Sequence, residues 1–116
     1  MALVAYAEGG KFSPRLIAAS LLTTQDEIAR SVGLGRDAIS RKDRLASPRT
    51  QSRLREMVEI LNRVTPRFDS ELLAFAWYRS TPLDGFDGRT AMALVREGHA
   101  DWVMEYIDSV DNGVFA

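Results

Sequence analysis

The chain has 116 residues, 46% of them hydrophobic and 27% charged, and a formal net charge of −1; this composition excludes a disordered chain and suits one ordinary domain, or one domain with a small appendage. It contains no cysteine, which excludes disulfides, thiolate zinc sites and cysteine nucleophiles and fits a reducing cytoplasm. No apolar run approaches the roughly 20 residues that span a bilayer, so no membrane partner is expected.

In chain order, the opening "MALVAYAEGGKF" lacks a basic region ahead of its short apolar stretch, which argues against a secretory signal. Residues 1–12 read as a flexible arm or a short strand. Ser13 before Pro14 is an N-cap followed by proline at the first helical position, and predicts a helix to about Leu22. Thr24, with Glu27 three residues on, is a capping box for a second helix that stops at Gly33. "LGRDAISRK" predicts a further short helix. Ser47–Pro48 starts a long one with an apolar stripe of Leu54, Met57, Val58, Leu61 and Val64, ended by Pro66. Asp69 or Ser70 caps "ELLAFAWYRS", with Leu72, Leu73, Ala76 and Trp77 facing inward. "LDGFDG" is a turn-rich joint. Thr90 caps a short helix closed by Gly98, and the last helix holds Trp102, Val103, Tyr106, Ile107 and Val110 before Asn112–Gly113. The expectation is an all-α protein: an arm over 1–12, a helix-turn-helix region over 13–67, and a helical domain over 68–116.

Residues 25–44 carry the helix-turn-helix pattern. Ala29 is the small residue where two helices cross, Gly33 makes the turn, and Ile28, Val32, Leu34 and Ile39 fall at buried spacings. Lys42 stands where the pattern usually has an apolar residue, and Leu45 is expected to fill that gap. A regular helix over 36–43 would aim Ser40 and Arg41 at base edges, with Arg36, Lys42, Arg44, Arg49 and Arg53 neutralising phosphate. Asp37 and Asp43 oppose this. A purely core-forming role for these helices stays open. Charge divides along the chain: residues 1–67 carry 12 Lys/Arg against 7 Asp/Glu, and residues 68–116 carry 3 Arg against 9 Asp/Glu. Such a division suggests two different partners.

No enzymatic chemistry is legible. Asp84 and Asp87 beside glycines lack the alternating oxygens and distant glutamate of a calcium loop, and read as turn caps. His99, the single histidine, has no second histidine or cysteine for a metal and no obvious nucleophile. Trp77 and Trp102 read as core. No catalytic residue, metal or cofactor is expected.

The stretch from about Phe68 onward, with Trp77, Pro82, "FDGRTAMALVREGHADWVMEYID" and "NGVFA", resembles the toxin-binding domain of the Xre/MbcA/ParS-like antitoxins. Phe86, Gly88, Thr90, Leu94, Gly98, Ile107, Gly113 and Phe115 fit that family's order, and "TTQDEIARSVGLGRDAISRK" and "SPRTQSRLREMVEILNRV" are similar to its N-terminal half. Ala91 stands where relatives commonly have proline. The resemblance implies a type II antitoxin: a non-catalytic homodimer that blocks a RES-domain toxin, an NAD⁺-consuming relative of the ADP-ribosyltransferases, and binds its own operator DNA. Arg89, Arg96, Asn112, Gly113, Val114, Phe115 and Ala116 are then the expected toxin-binding residues, with the apolar tail over the toxin's cleft. For the dimer, the stripe Leu54, Met57, Val58, Leu61 is the first candidate face. A tail packed on its own helices, a stand-alone dimeric helix-turn-helix repressor, and an antitoxin whose DNA-binding half has decayed all remain alternatives.

Overall fold

The computed structural model describes residues 6–113. Residues 7–12 form a strand pair, the second of the two readings of this stretch. Ala7–Glu8 (β1) and Lys11–Phe12 (β2) run antiparallel, Ala7 opposite Phe12 and Glu8 opposite Lys11. Gly9 and Gly10, at φ 59° and 79°, supply the two left-handed residues of a tight hairpin. Buried Tyr6 anchors the hairpin by donating its hydroxyl to Glu71 Oε2 at 2.8 Å. The Gln51 amide brackets Phe12, accepting from its N–H at 2.8 Å and donating to its carbonyl at 3.1 Å.

Eight helices are found among the described residues: α1 Pro14–Ser20, α2 Gln25–Ser31, α3 Asp37–Ser40, α4 Lys42–Leu45, α5 Pro48–Phe68, α6 Glu71–Ser80, α7 Ala91–Arg96 and α8 Ala100–Asp111. The chain is therefore all-α apart from its small hairpin. Five helices start where a hydroxyl accepts an otherwise unbonded N–H: Ser13 from Leu16, Thr24 from Glu27, Ser47 from Thr50, Ser70 from Leu73 and Thr90 from Ala93.

Long α5 is the spine. Leu54, Met57, Val58, Ile60, Leu61 and Val64 are all buried along it, and α6, α7 and α8 pack against it. One cluster of buried side chains runs from Tyr6 to Ile107, crossing the expected boundary at 67/68 without a break. Because the α5 stripe is spent on this core, it is not an accessible dimer face.

Three local expectations are corrected. Pro66 does not end α5, which continues to Phe68 and stops at left-handed Asp69, φ 55°. A proline in a helix withdraws one N–H, and the next helical bond that matters, Asp69 N–H to the Thr65 carbonyl at 2.8 Å, is made. The inward face of α6 is Ala74, Phe75 and Tyr78, while Leu72 and Leu73 are 42% and 55% exposed. The segment is apolar on nearly every side, so tertiary partners choose its face. Tyr78 is drawn in by donating its hydroxyl to the Ser31 carbonyl at 2.8 Å. The short helix expected over 36–43 is split into α3 and α4 by Arg41, which is extended at φ −103°, ψ 127°.

Candidate functional site

Two surfaces hold the residues that the sequence singles out. The first spans α3, α4 and the start of α5. Ile28, Ala29, Val32, Leu34 and Ile39 are buried, as the motif spacing requires, and Leu45 packs half-buried against the core. The break at Arg41 turns the chain into a new direction, so Ser40 and Arg41 do not share one regular helical face. Ser40, Arg41, Lys42, Arg44 and Arg49 are all exposed. Arg36 is exposed too, but held to Asp26 at 2.6 Å, and this guanidinium lowers the Asp26 carboxyl below its ordinary range. Arg41 Nε lies 3.9 Å from Asp43.

Arg53, expected on phosphate, is engaged within the protein. Its Nη1 donates to the carbonyls of Val95 at 2.6 Å and Val32 at 3.2 Å. Those carbonyls belong to the C-terminal ends of α7 and α2, whose partial negative charge a guanidinium stabilises. Close by, Gly33 (φ 77°) lets the α2 turn pass the backbone of Arg96: a Cβ at position 33 would meet the Arg96 Cα and carbonyl at 3.2 Å. The end of α2 and the end of α7 are thus clamped to one another through α5.

The second surface lies between the 83–89 loop and α8. The loop is closed by Leu83 N–H to the Arg89 carbonyl at 2.9 Å and Arg89 N–H to the Phe86 carbonyl at 3.0 Å. Asp84 and Asp87 sit within these turns, Asp87 left-handed at φ 55°. Together the loop and helix enclose a groove of about 440 Å³, lined by Gly85, Phe86, Asp87, Arg89, Trp102, Glu105, Tyr106 and Ser109. Phe86 meets Tyr106 edge-on at 6.1 Å and tilts against Trp102 at 6.3 Å. His99 stacks flat on Trp102 at 3.6 Å. Trp102, expected in the core, is 38% exposed at this surface, whereas Trp77 is half-buried against Phe68. Spacings of three, four and seven from Trp102 to Glu105, Tyr106 and Ser109 put one face of α8 on the groove. That spacing is readable in the sequence, but assigning the tryptophan inward hides the groove.

The expected toxin-binding residues do not form one patch. Arg89 lines the groove and pairs with Glu97 at 3.2 Å. Arg96 ends α7 and lines a separate depression with Met92, Ala93 and Glu97. Asn112 caps the end of α8 and Gly113 is left-handed at φ 82°. Val114, Phe115 and Ala116 lie outside the described residues. Not all the acidic charge of this half is free for a partner. Arg63 reaches Asp108 at 2.7 Å and Asp111 at 2.9 Å, and Arg67 also bonds Asp111. Arg67 first, and Arg63 next, hold the Asp111 carboxyl below its usual range. No group of three or more His, Cys, Asp or Glu that could hold a metal is present among the described residues, and no helix among them is long and apolar enough to cross a membrane.

Comparison with known proteins gives one family. The model of the antitoxin Xre/MbcA/ParS C-terminal toxin-binding domain matches residues 58–113. The match begins inside α5 and takes in α6, the 83–89 loop, α7 and α8. No curated protein and no solved structure matches the chain. From the second half of α5 to the end of α8, the chain thus matches the toxin-binding domain family of the Xre/MbcA/ParS antitoxins.

Proposed function

We propose that this chain is the antitoxin of a type II toxin–antitoxin pair whose toxin is a RES-domain, NAD⁺-consuming protein, that it acts by occlusion in the cytoplasm, and that it also regulates its own operon. The observation that carries the reading is the family match over residues 58–113. It covers the face of α8 and the adjoining loop, where Phe86, Trp102 and Tyr106 line a groove.

Neutralisation proceeds by burial. Arg89 contacts the toxin from the groove, and Asn112 and Gly113 lead into residues 114–116. Val114, Phe115 and Ala116 enter the toxin's nucleotide cleft, with Arg96 a contact on the neighbouring face. Burying a phenylalanine and a valine would contribute on the order of 2–5 kcal/mol before ordering costs. Operator binding uses Arg41, Lys42, Arg44 and Arg49, with Arg36 and Ser40 beside them. The split at Arg41 favours a phosphate-led contact, whose affinity falls steeply with salt. A homodimer would present two such surfaces to a two-fold operator.

The test is a titration of the toxin's NAD⁺ consumption with the intact chain and with a chain cut after Asn112. The intact chain should silence the toxin at equimolar ratio, and the shortened chain should need at least tenfold more. Equal potency of the two would refute the tail's role.

A further inference from the structure

We propose that the groove between the 83–89 loop and α8 is a receptor for a cationic side chain of the toxin, an arginine, held between an aromatic wall and two carboxylates. The inference rests on the antitoxin reading and adds to it a second anchor point, separate from residues 114–116.

The chemistry of the groove selects the guest. Its wall is aromatic: Phe86, Trp102 and Tyr106 converge with ring centroids 6.1–6.3 Å apart. His99 lies flat on one face of the Trp102 indole at 3.6 Å, which fixes the ring while it remains 38% exposed. The two acidic lining residues, Asp87 and Glu105, are exposed and form no ion pair with any described residue. The one lining cation, Arg89, is already engaged by Glu97 at 3.2 Å. The groove therefore offers negative charge and ring faces with no free cation of its own.

A guanidinium satisfies both demands at once, because it stacks on an aromatic face and donates two parallel hydrogen bonds to a carboxylate. A neutral apolar guest would leave Asp87 and Glu105 facing it unpaired. An acidic guest would meet two like charges. At about 440 Å³ the groove takes one long side chain with room for bridging water. It also lies wholly within residues 58–113, the part of the chain that matches a toxin-binding domain.

The experiment measures affinity for the product of the neighbouring gene, tested as the toxin, by calorimetry at two salt concentrations. The intact chain is compared with Trp102→Ala, with the double variant Asp87→Asn/Glu105→Gln, and with each of these cut after Asn112. Circular dichroism melts report folding. Trp102→Ala should weaken binding at least tenfold. The double variant should lose both affinity and part of its salt dependence while melting like the parent. If Trp102→Ala unfolds, Trp102→Phe, which keeps a ring, should bind like the parent while the charge variant stays weak. Folded variants that bind like the parent overturn the groove as a receptor. Groove losses that disappear in the shortened chains overturn it too, because they assign the groove to the chain's own tail. Failure of the intact chain to bind at all overturns the antitoxin reading itself.

Discussion

Arg53 ties the end of α2 to the end of α7, and removing it tests the architecture directly. Its guanidinium donates to the Val95 carbonyl at 2.6 Å and the Val32 carbonyl at 3.2 Å; the 3.5 Å approach to the Arg96 carbonyl is too long to count. A hydrogen bond from a charged donor is worth about 1.5 kcal/mol at the lower end, so two give about 3 kcal/mol. The Val95 carbonyl also accepts from the Gly98 N–H at 3.0 Å, and it keeps that partner when Arg53 is gone. Part of the site is open to water as well. About 2 kcal/mol remains for Arg53→Ala, or a melting temperature lower by about 8 °C for a domain of this size. Both bonds come from the one Nη1, so Arg53→Lys keeps a charged nitrogen donor but on a shorter and more strongly hydrated head, and should recover about half of the loss. Urea denaturation of the three proteins gives the values. A loss below about 0.5 kcal/mol for Arg53→Ala, or full recovery by lysine, would refute the clamp.

Single positions elsewhere make further predictions. Leu22 lies just beyond α1 in the left-handed region at φ 54° and is 77% exposed. Leu22→Gly relieves that backbone strain of about 1 kcal/mol, partly offset by greater freedom when unfolded, so a small rise in melting temperature is expected; a fall would mean that the leucine side chain stabilises the turn. Burial raises the Glu56 carboxyl above its ordinary range, opposed by Arg53 and reinforced by Asp101 and Glu59. A raised folded-state value means that Glu56 favours the fold at acid pH and that this contribution is lost as pH rises through it. Glu56→Gln should therefore raise the melting temperature at pH 7.5 and gain little at pH 4, and the reverse pattern would contradict the sign.

Helix starts are legible because they are local. Ser13, Thr24, Ser47, Ser70 and Thr90 each bond an N–H three residues ahead, within reach of any sequence rule. Faces and breaks are less legible. Apolar residues surround α6, so nothing in its spacing chooses Phe75 and Tyr78 over Leu72 and Leu73; the Ser31 carbonyl, 47 residues away in sequence from Tyr78, does. "DAISRKDR" contains no glycine or proline to announce the extended Arg41. The Gly9–Gly10 pair does announce a hairpin, and residues 7–12 form one. The clamp of Arg53 joins carbonyls 21 and 42 residues distant, beyond any periodicity argument. The groove depends on one assignment: with Trp102 placed in the core, Glu105, Tyr106 and Ser109 have no surface to share.

The central claim is that this chain binds and silences a toxin. The measurement is co-expression of the tagged chain with the product of its neighbouring gene, then capture and an NAD⁺ assay. A stoichiometric complex in which NAD⁺ loss stops is the expected result. A neighbour that fails to copurify and consumes NAD⁺ at an unchanged rate, while the chain alone binds upstream DNA in a salt-dependent manner, would contradict the account and leave a plain repressor.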